Sequence, residues 1–166
     1  ENYFKNQEVI FIKEKLFKND LINTLDKVTS RDIFFLVDDN IFKSQFSFNS
    51  FLSLPERDKY ILSLRLGENL NYCYTRAVQQ SLPKFKKVDK FLSWDWRKGE
   101  SDWNYVFSVD GNVYNTREIL EMSKLISFNA PNSYESKMNV FRFLLRRKKG
   151  LCYPNSVLIN VCLKGE

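Results

Sequence analysis

Ile33-Phe34-Phe35-Leu36-Val37-Asp38-Asp39-Asn40 is the stretch on which the fold turns. Its first five residues are apolar without a polar break. A strand with one wet face alternates, so a continuous run predicts a strand covered on both faces, in the middle of a sheet with helices on either side. Asp38-Asp39-Asn40 then ends it abruptly with turn-forming side chains. Upstream, Leu16, Phe17, Leu21, Ile22 and Leu25 recur at helical spacing and predict an amphipathic helix over 18–28. Before that, Gln7-Glu8-Val9-Ile10-Phe11-Ile12 reads as a β run. Strand, helix and strand in this order form a βαβ unit with a right-handed crossover.

Downstream, 55–60 resembles a short helix and 60–66 a further strand that ends at Gly67. The stretch 68–103 carries little periodicity and is expected to be an irregular excursion. Val106-Phe107-Ser108-Val109 leads to a turn at Asp110-Gly111-Asn112, and Thr116 is expected to cap a helix to about residue 124. A further helix is expected over 134–147, and 156–163 reads as a last strand. The alternation makes an α/β domain the expected class. With 166 residues, one domain spans 1–166. Glu1 rather than Met opens it, so a portion of a longer chain is expected.

Composition removes whole classes of chemistry. Hydrophobic residues make up 43% and Gly and Pro number only 5 and 4, which excludes a disordered or collagen-like chain. There is no histidine, which excludes His-based triads, His general bases and His-ligated zinc. Cys73, Cys152 and Cys162 lack a CxxC pair, so reduced thiols and a cytoplasmic setting are expected. No apolar run reaches the length of a membrane span, and no leader pattern opens the chain. The net charge of +6 suits an anionic partner without choosing one.

Asp38 and Asp39 are the sharpest candidates for chemistry. Ligands of open α/β sheets bind beyond the carboxyl ends of strands. Two adjacent carboxylates there call for an offsetting cation, and Mg²⁺ or Mn²⁺ is the hard ion that oxygen ligands favour. Ordinary turn chemistry is the competing reading. Glu100 and Asp102 lie in a loop with Trp94, Trp96 and Trp103, where rings stack on sugars or simply pin the loop to the core. Arg65 faces a phosphate or is a plain surface arginine. Asp110 is a sugar ligand or a turn residue before Gly111. The basic run Arg142, Arg146, Arg147, Lys148, Lys149 is a helix end with dipole-complementing charge, or a contact with an anionic membrane face. No specific nucleic-acid signature is present.

The segments Phe34-Phe35-Leu36-Val37-Asp38-Asp39, Leu62-Ser63-Leu64-Arg65-Leu66-Gly67-Glu68-Asn69, Trp94-Asp95-Trp96, Asp102-Trp103-Asn104-Tyr105 and Ser108-Val109-Asp110-Gly111 follow one another in that order. This series resembles bacterial nucleotide-sugar glycosyltransferases of the GT-A type, related to family two. The resemblance implies a mixed sheet with flanking helices, lacking the first strand of that fold. It implies a metal-dependent transfer of sugar from a nucleotide-diphosphate donor to a glycan or protein hydroxyl, in surface polysaccharide or glycoconjugate synthesis, at the inner face of the membrane. Asp38 and Asp39 correspond to the acidic pair that holds Mn²⁺ or Mg²⁺ and the diphosphate. Glu135, in Pro131-Asn132-Ser133-Tyr134-Glu135, takes the place of the base, without the usual Glu-Asp pair. Asp102 joins it at the catalytic centre, and Arg65, Trp96, Glu100, Trp103 and Asp110 bind substrate. The alternative is a non-catalytic carbohydrate- or nucleotide-binding module.

Overall fold

The computed structural model describes residues 9–161. Helix α1 (Phe17–Lys27) leads to strands β1 (Asp32–Phe34) and β2 (Asn40–Phe42), the short helix α2 (Asn49–Leu52) and strand β3 (Tyr60–Ser63). Strands β4 (Tyr72–Cys73), β5 (Val78–Gln79), β6 (Lys86–Val88) and β7 (Phe91–Trp94) come next. Strand β8 (Asn112–Asn115) runs into helix α3 (Thr116–Lys124), followed by α4 (Pro131–Met138), α5 (Arg142–Leu145), β9 (Lys149–Cys152) and β10 (Leu158–Asn160). Six strands form one mixed sheet in the order β1-β8-β3-β9-β7-β6. Strands β3 and β9 run parallel, and the other pairings in this sheet are antiparallel.

Both faces of the sheet are covered, and the side-chain alternation along each strand divides the apolar residues between two cores. Ile61, Tyr114 and Cys152 point into one core with Leu25 of α1, Ile119 of α3 and Tyr134 and Met138 of α4. Leu62, Val113 and Leu151 point into the other, with Phe51 of α2 and Leu158 of β10. Large rings fill the helix-side core: Trp94 meets both Trp96 and Trp103, and Phe107 stacks on Tyr114. Strands β2 and β10 pair as a separate two-stranded ladder that joins the second core.

Gly150 shows how tight this packing is. It sits in β9 opposite Trp94, and a Cβ there would lie 2.3 Å from the indole. Trp94 has no room to yield, because Trp96 and Trp103 close on its ring. Gly150→Ala is expected to cost about 1–3 kcal/mol by overpacking, read as a lowered urea midpoint with an unchanged slope.

Several expectations from the sequence are corrected here. The run 33–37 does not lie in the middle of the sheet: among the described residues β1 is an edge strand of three residues, paired with β8 alone. Its apolarity has the inferred cause only in part: Ile33, Phe35 and Val37 pack into one core and Phe34 into the other, but Leu36 is exposed. No βαβ unit precedes it among the described residues. Residues 9–12 are irregular and exposed, and Gln7 and Glu8 lie outside the described residues. The stretch 68–103 is far from irregular, because β6 and β7 complete the sheet. Asn115, not Thr116, caps α3, its side chain accepting from the Glu118 N–H at 3.0 Å. The single helix expected over 134–147 is broken into α4, a 3₁₀ turn (Asn139–Phe141) and α5. The last strand is β10 alone, and Cys162 and Leu163 lie outside the described residues. No helix among the described residues is long and apolar enough to cross a membrane.

Candidate functional site

Three chain segments converge beyond the end of β1. The Asp38-Asp39 turn closes when the Asn40 N–H donates to the Val37 carbonyl and the Val37 N–H to the Asn40 side chain. The turn at Asp110 is stitched beside it, the Gly111 N–H donating to the Phe35 carbonyl at 2.9 Å. Gly111 has φ +74°, a conformation that favours glycine and lets the chain turn there into β8. The third segment is the end of β10, where the Val161 N–H donates to the Asp39 carbonyl.

Asn160 joins these segments. Its side-chain nitrogen donates to Asp39 at 3.1 Å and to Asp110 at 2.9 Å, and Asn40 adds a donor to Asp110 at 3.2 Å. Two carboxylates thus share one neutral amide, and neither forms an ion pair among the described residues. Hard oxygen donors with uncompensated charge are the chemistry that suits Mg²⁺ or Mn²⁺. The geometry is incomplete as a cage, since no group of three or more His, Cys, Asp or Glu side chains that could hold an ion occurs among the described residues. Asp38 is exposed.

Asp110 also borders a cavity of about 670 Å³, lined by Arg65, Arg76, Asp102, Tyr105, Ser108, Glu135, Asn139, Arg142 and Arg146 among others. The wall bearing Ser108 and Asp110 is fixed from beneath by Tyr114, whose hydroxyl accepts from the Ser108 N–H at 2.7 Å. Burial pushes the Tyr114 phenol far up, so it stays a neutral strut. The opposite wall comes from α4, the 3₁₀ turn after it and α5. Pro131 opens α4, and the Ser133 hydroxyl accepts from the Asn129 and Ala130 N–H groups. Tyr134 then turns into the core, bonded to Ser123 at 2.8 Å, while Glu135 turns to the cavity.

Burial raises the pKa of Glu135, and the nearby charge of Asp110 adds to the rise. The Tyr105 hydroxyl, the Val109 N–H and Arg65 oppose it by favouring the carboxylate. Tyr105 is itself pushed up to about 12 by burial and by Glu135. A carboxyl group lifted towards neutrality in a cavity is suited to taking a proton from a hydroxyl.

The remaining candidates divide sharply. Both oxygens of Asp102 are committed inside the protein, one to Arg65 at 2.9 Å and the other to Gln80 at 3.1 Å. That geometry makes Asp102 a strut for Arg65 rather than a free catalytic group. Trp96 and Trp103 are each 0% exposed and offer no ring face to a sugar; they pin the loop to the core. Trp103 donates to the Leu70 carbonyl and its own carbonyl accepts from Trp94. Glu100 is exposed, accepts from the Ser81 N–H, and lies outside the cavity lining. Tyr105 stands in one of the quoted segments with no role of its own, and Asn160, Asn139 and Arg76 are not singled out by the sequence. Only Asn139 had a usable signal there, because 135, 139, 142 and 146 share one face at helical spacing.

The chain is 24% identical, over 152 aligned residues, to the bifunctional glycosyltransferase pgtA of Dictyostelium discoideum. The likeness is to a glycosyltransferase. It takes in 80% of this chain, which spans 20% of the length of that relative. No protein-family model matches, and no solved structure matches. The mixed α/β sheet with helices is compatible with a glycosyltransferase fold.

Proposed function

We propose that this protein transfers a sugar from a nucleotide-diphosphate donor to a hydroxyl of a glycan or protein acceptor. The observation that carries the reading is the convergence of Glu135, Asp110 and Asp39, remote in sequence, on one cavity and its rim. The likeness to a glycosyltransferase over most of the chain supports it. Glu135 takes the proton from the acceptor hydroxyl. The hydroxyl oxygen forms a bond to the anomeric carbon while the bond from that carbon to the diphosphate oxygen breaks, and the nucleoside diphosphate leaves with the electron pair. Asp110 and Ser108 orient sugar hydroxyls, and Asp102 holds Arg65 in place.

Asp38 and Asp39 are the residues we propose for Mn²⁺ or Mg²⁺, which when bound supplies positive charge against the diphosphate. The order of the segments from 33 to 111 and the mixed sheet support a GT-A, family-two-like architecture, proposed here on that basis. Exposed Val140 and Phe143 beside Arg142 and Arg147 support work at an anionic membrane face.

Calorimetric titration of UDP and GDP with and without Mn²⁺ tests the reading. Binding that requires the metal and is lost in Asp39→Asn is the expected result. Nucleotide binding that ignores both would assign the chain to non-catalytic binding modules instead.

A further inference from the structure

Glu135 of α4, Asn139 of the 3₁₀ turn, Arg142 of α5 and Arg146 just after it line one cavity, at spacings of four, three and four residues. The face they form changes charge along its length, from a carboxylate through an amide to two guanidinium groups. Arg76 borders the same cavity from the β4–β5 hairpin.

Among the described residues, Arg76, Arg142 and Arg146 form no ion pair with a carboxylate. Arg65, the fourth arginine of the cavity, is neutralised by Asp102 at 2.9 Å. Arg76 donates only to the Ser101 hydroxyl, at 3.2 Å. Arg146 donates to the side chain and backbone carbonyl of Asn104, and its Nε is buried with no partner among the described residues. The Arg142 guanidinium is exposed, and no hydrogen bond or ion pair to it occurs among the described residues. Like charges gathered on a cavity wall repel, and burial with the charge of Arg142 already lowers the pKa of Arg146. An anion relieves that repulsion, and the guanidinium fork matches a phosphate or carboxylate in two-pronged fashion.

We propose that Arg76, Arg142 and Arg146 form a subsite for a phosphate or carboxylate group carried by the acceptor, which offers its hydroxyl to Glu135 on the wall of the same cavity. The acceptor is thus an acidic or phosphorylated glycoside rather than a neutral sugar. The assignment to the acceptor rests on the transferase reading; the anion subsite does not.

Inorganic phosphate is the probe. It is titrated into the ¹⁵N-labelled protein while the arginine Nε–H signals are followed, for the parent, Arg142→Gln and Asp39→Asn, with and without saturating UDP. Saturable shifts at Arg142 and Arg146 are expected, weakened about tenfold or more in Arg142→Gln and kept in Asp39→Asn and under UDP. Because the Arg142 side chain is exposed, that variant keeps the parent melting temperature, which separates lost binding from lost folding. Phosphate that fails to saturate, or binds Arg142→Gln as well as the parent, overturns the subsite. UDP that displaces phosphate, and is itself weakened by Arg142→Gln, overturns the acceptor assignment in favour of the donor diphosphate. Absence of UDP binding with the phosphate shifts intact contradicts the transferase reading and leaves the subsite standing.

Discussion

Replacing Glu135 by glutamine lowers the transfer rate constant by about 10²–10⁴-fold, the range that a positioned general base contributes. The same change makes the protein more stable at neutral pH. Burial raises the carboxyl pKa of the folded state above its ordinary 4.5, so the native protein holds the proton more tightly than the unfolded chain does. Stability contributed by the protonated group is full below pH 4.5 and is lost as pH rises through the elevated value. Above that point the parent carries a half-buried carboxylate beside Asp110, whereas glutamine keeps the shape without the charge. Melting temperature measured against pH checks this: the gap between Glu135→Gln and parent opens as pH rises and closes towards pH 4.5. The parent's kcat/KM should climb with pH over the limb where Glu135 ionises, and that limb should vanish from the variant's residual activity. A variant that loses activity and stability together would make Glu135 a structural residue.

Trp103→Ala should unfold a large fraction of the protein. The indole is fully buried, packs edge-on against Trp94 and Phe85, and donates to the Leu70 carbonyl at 3.1 Å. Truncating such a ring costs about 3–5 kcal/mol through lost transfer energy and the cavity left behind. That is a large part of the stability of an ordinary domain. Chemical denaturation gives the value directly. If Trp103 stacked on substrate instead, the variant would keep its denaturation midpoint and lose only ligand affinity. Trp103→Phe, which retains most of the packing, should recover most of the loss and leave the Leu70 carbonyl short of one donor.

Local signals in the chain were read well where a single periodicity governed them. Helix α1 was expected over 18–28 and spans Phe17–Lys27; α3 ends at Lys124, where the helix after Thr116 was expected to end. The turn at Asp110-Gly111 occurs where glycine permits a positive φ. The failures were of another kind. Strands β6 and β7 hold only three and four residues, too short for alternation to stand out, and their stability comes from partners brought in by the rest of the sheet. The helix over 134–147 kept its facing residues but not its continuity: a 3₁₀ turn at Asn139–Phe141 interrupts it.

The sequence by itself determined that histidine chemistry is excluded and that Ile33-Phe34-Phe35 packs on two sides. Composition and periodicity are properties of the chain read one turn or one strand at a time. Only the tertiary structure decided that the covered strand lies at the edge of the sheet, that the tryptophans belong to the core, and that Asn160 bridges Asp39 and Asp110 across 121 and 50 residues of chain. Those are contacts between distant segments, and they exist only because β3, β8 and β9 pack as they do and bring the loop ends together.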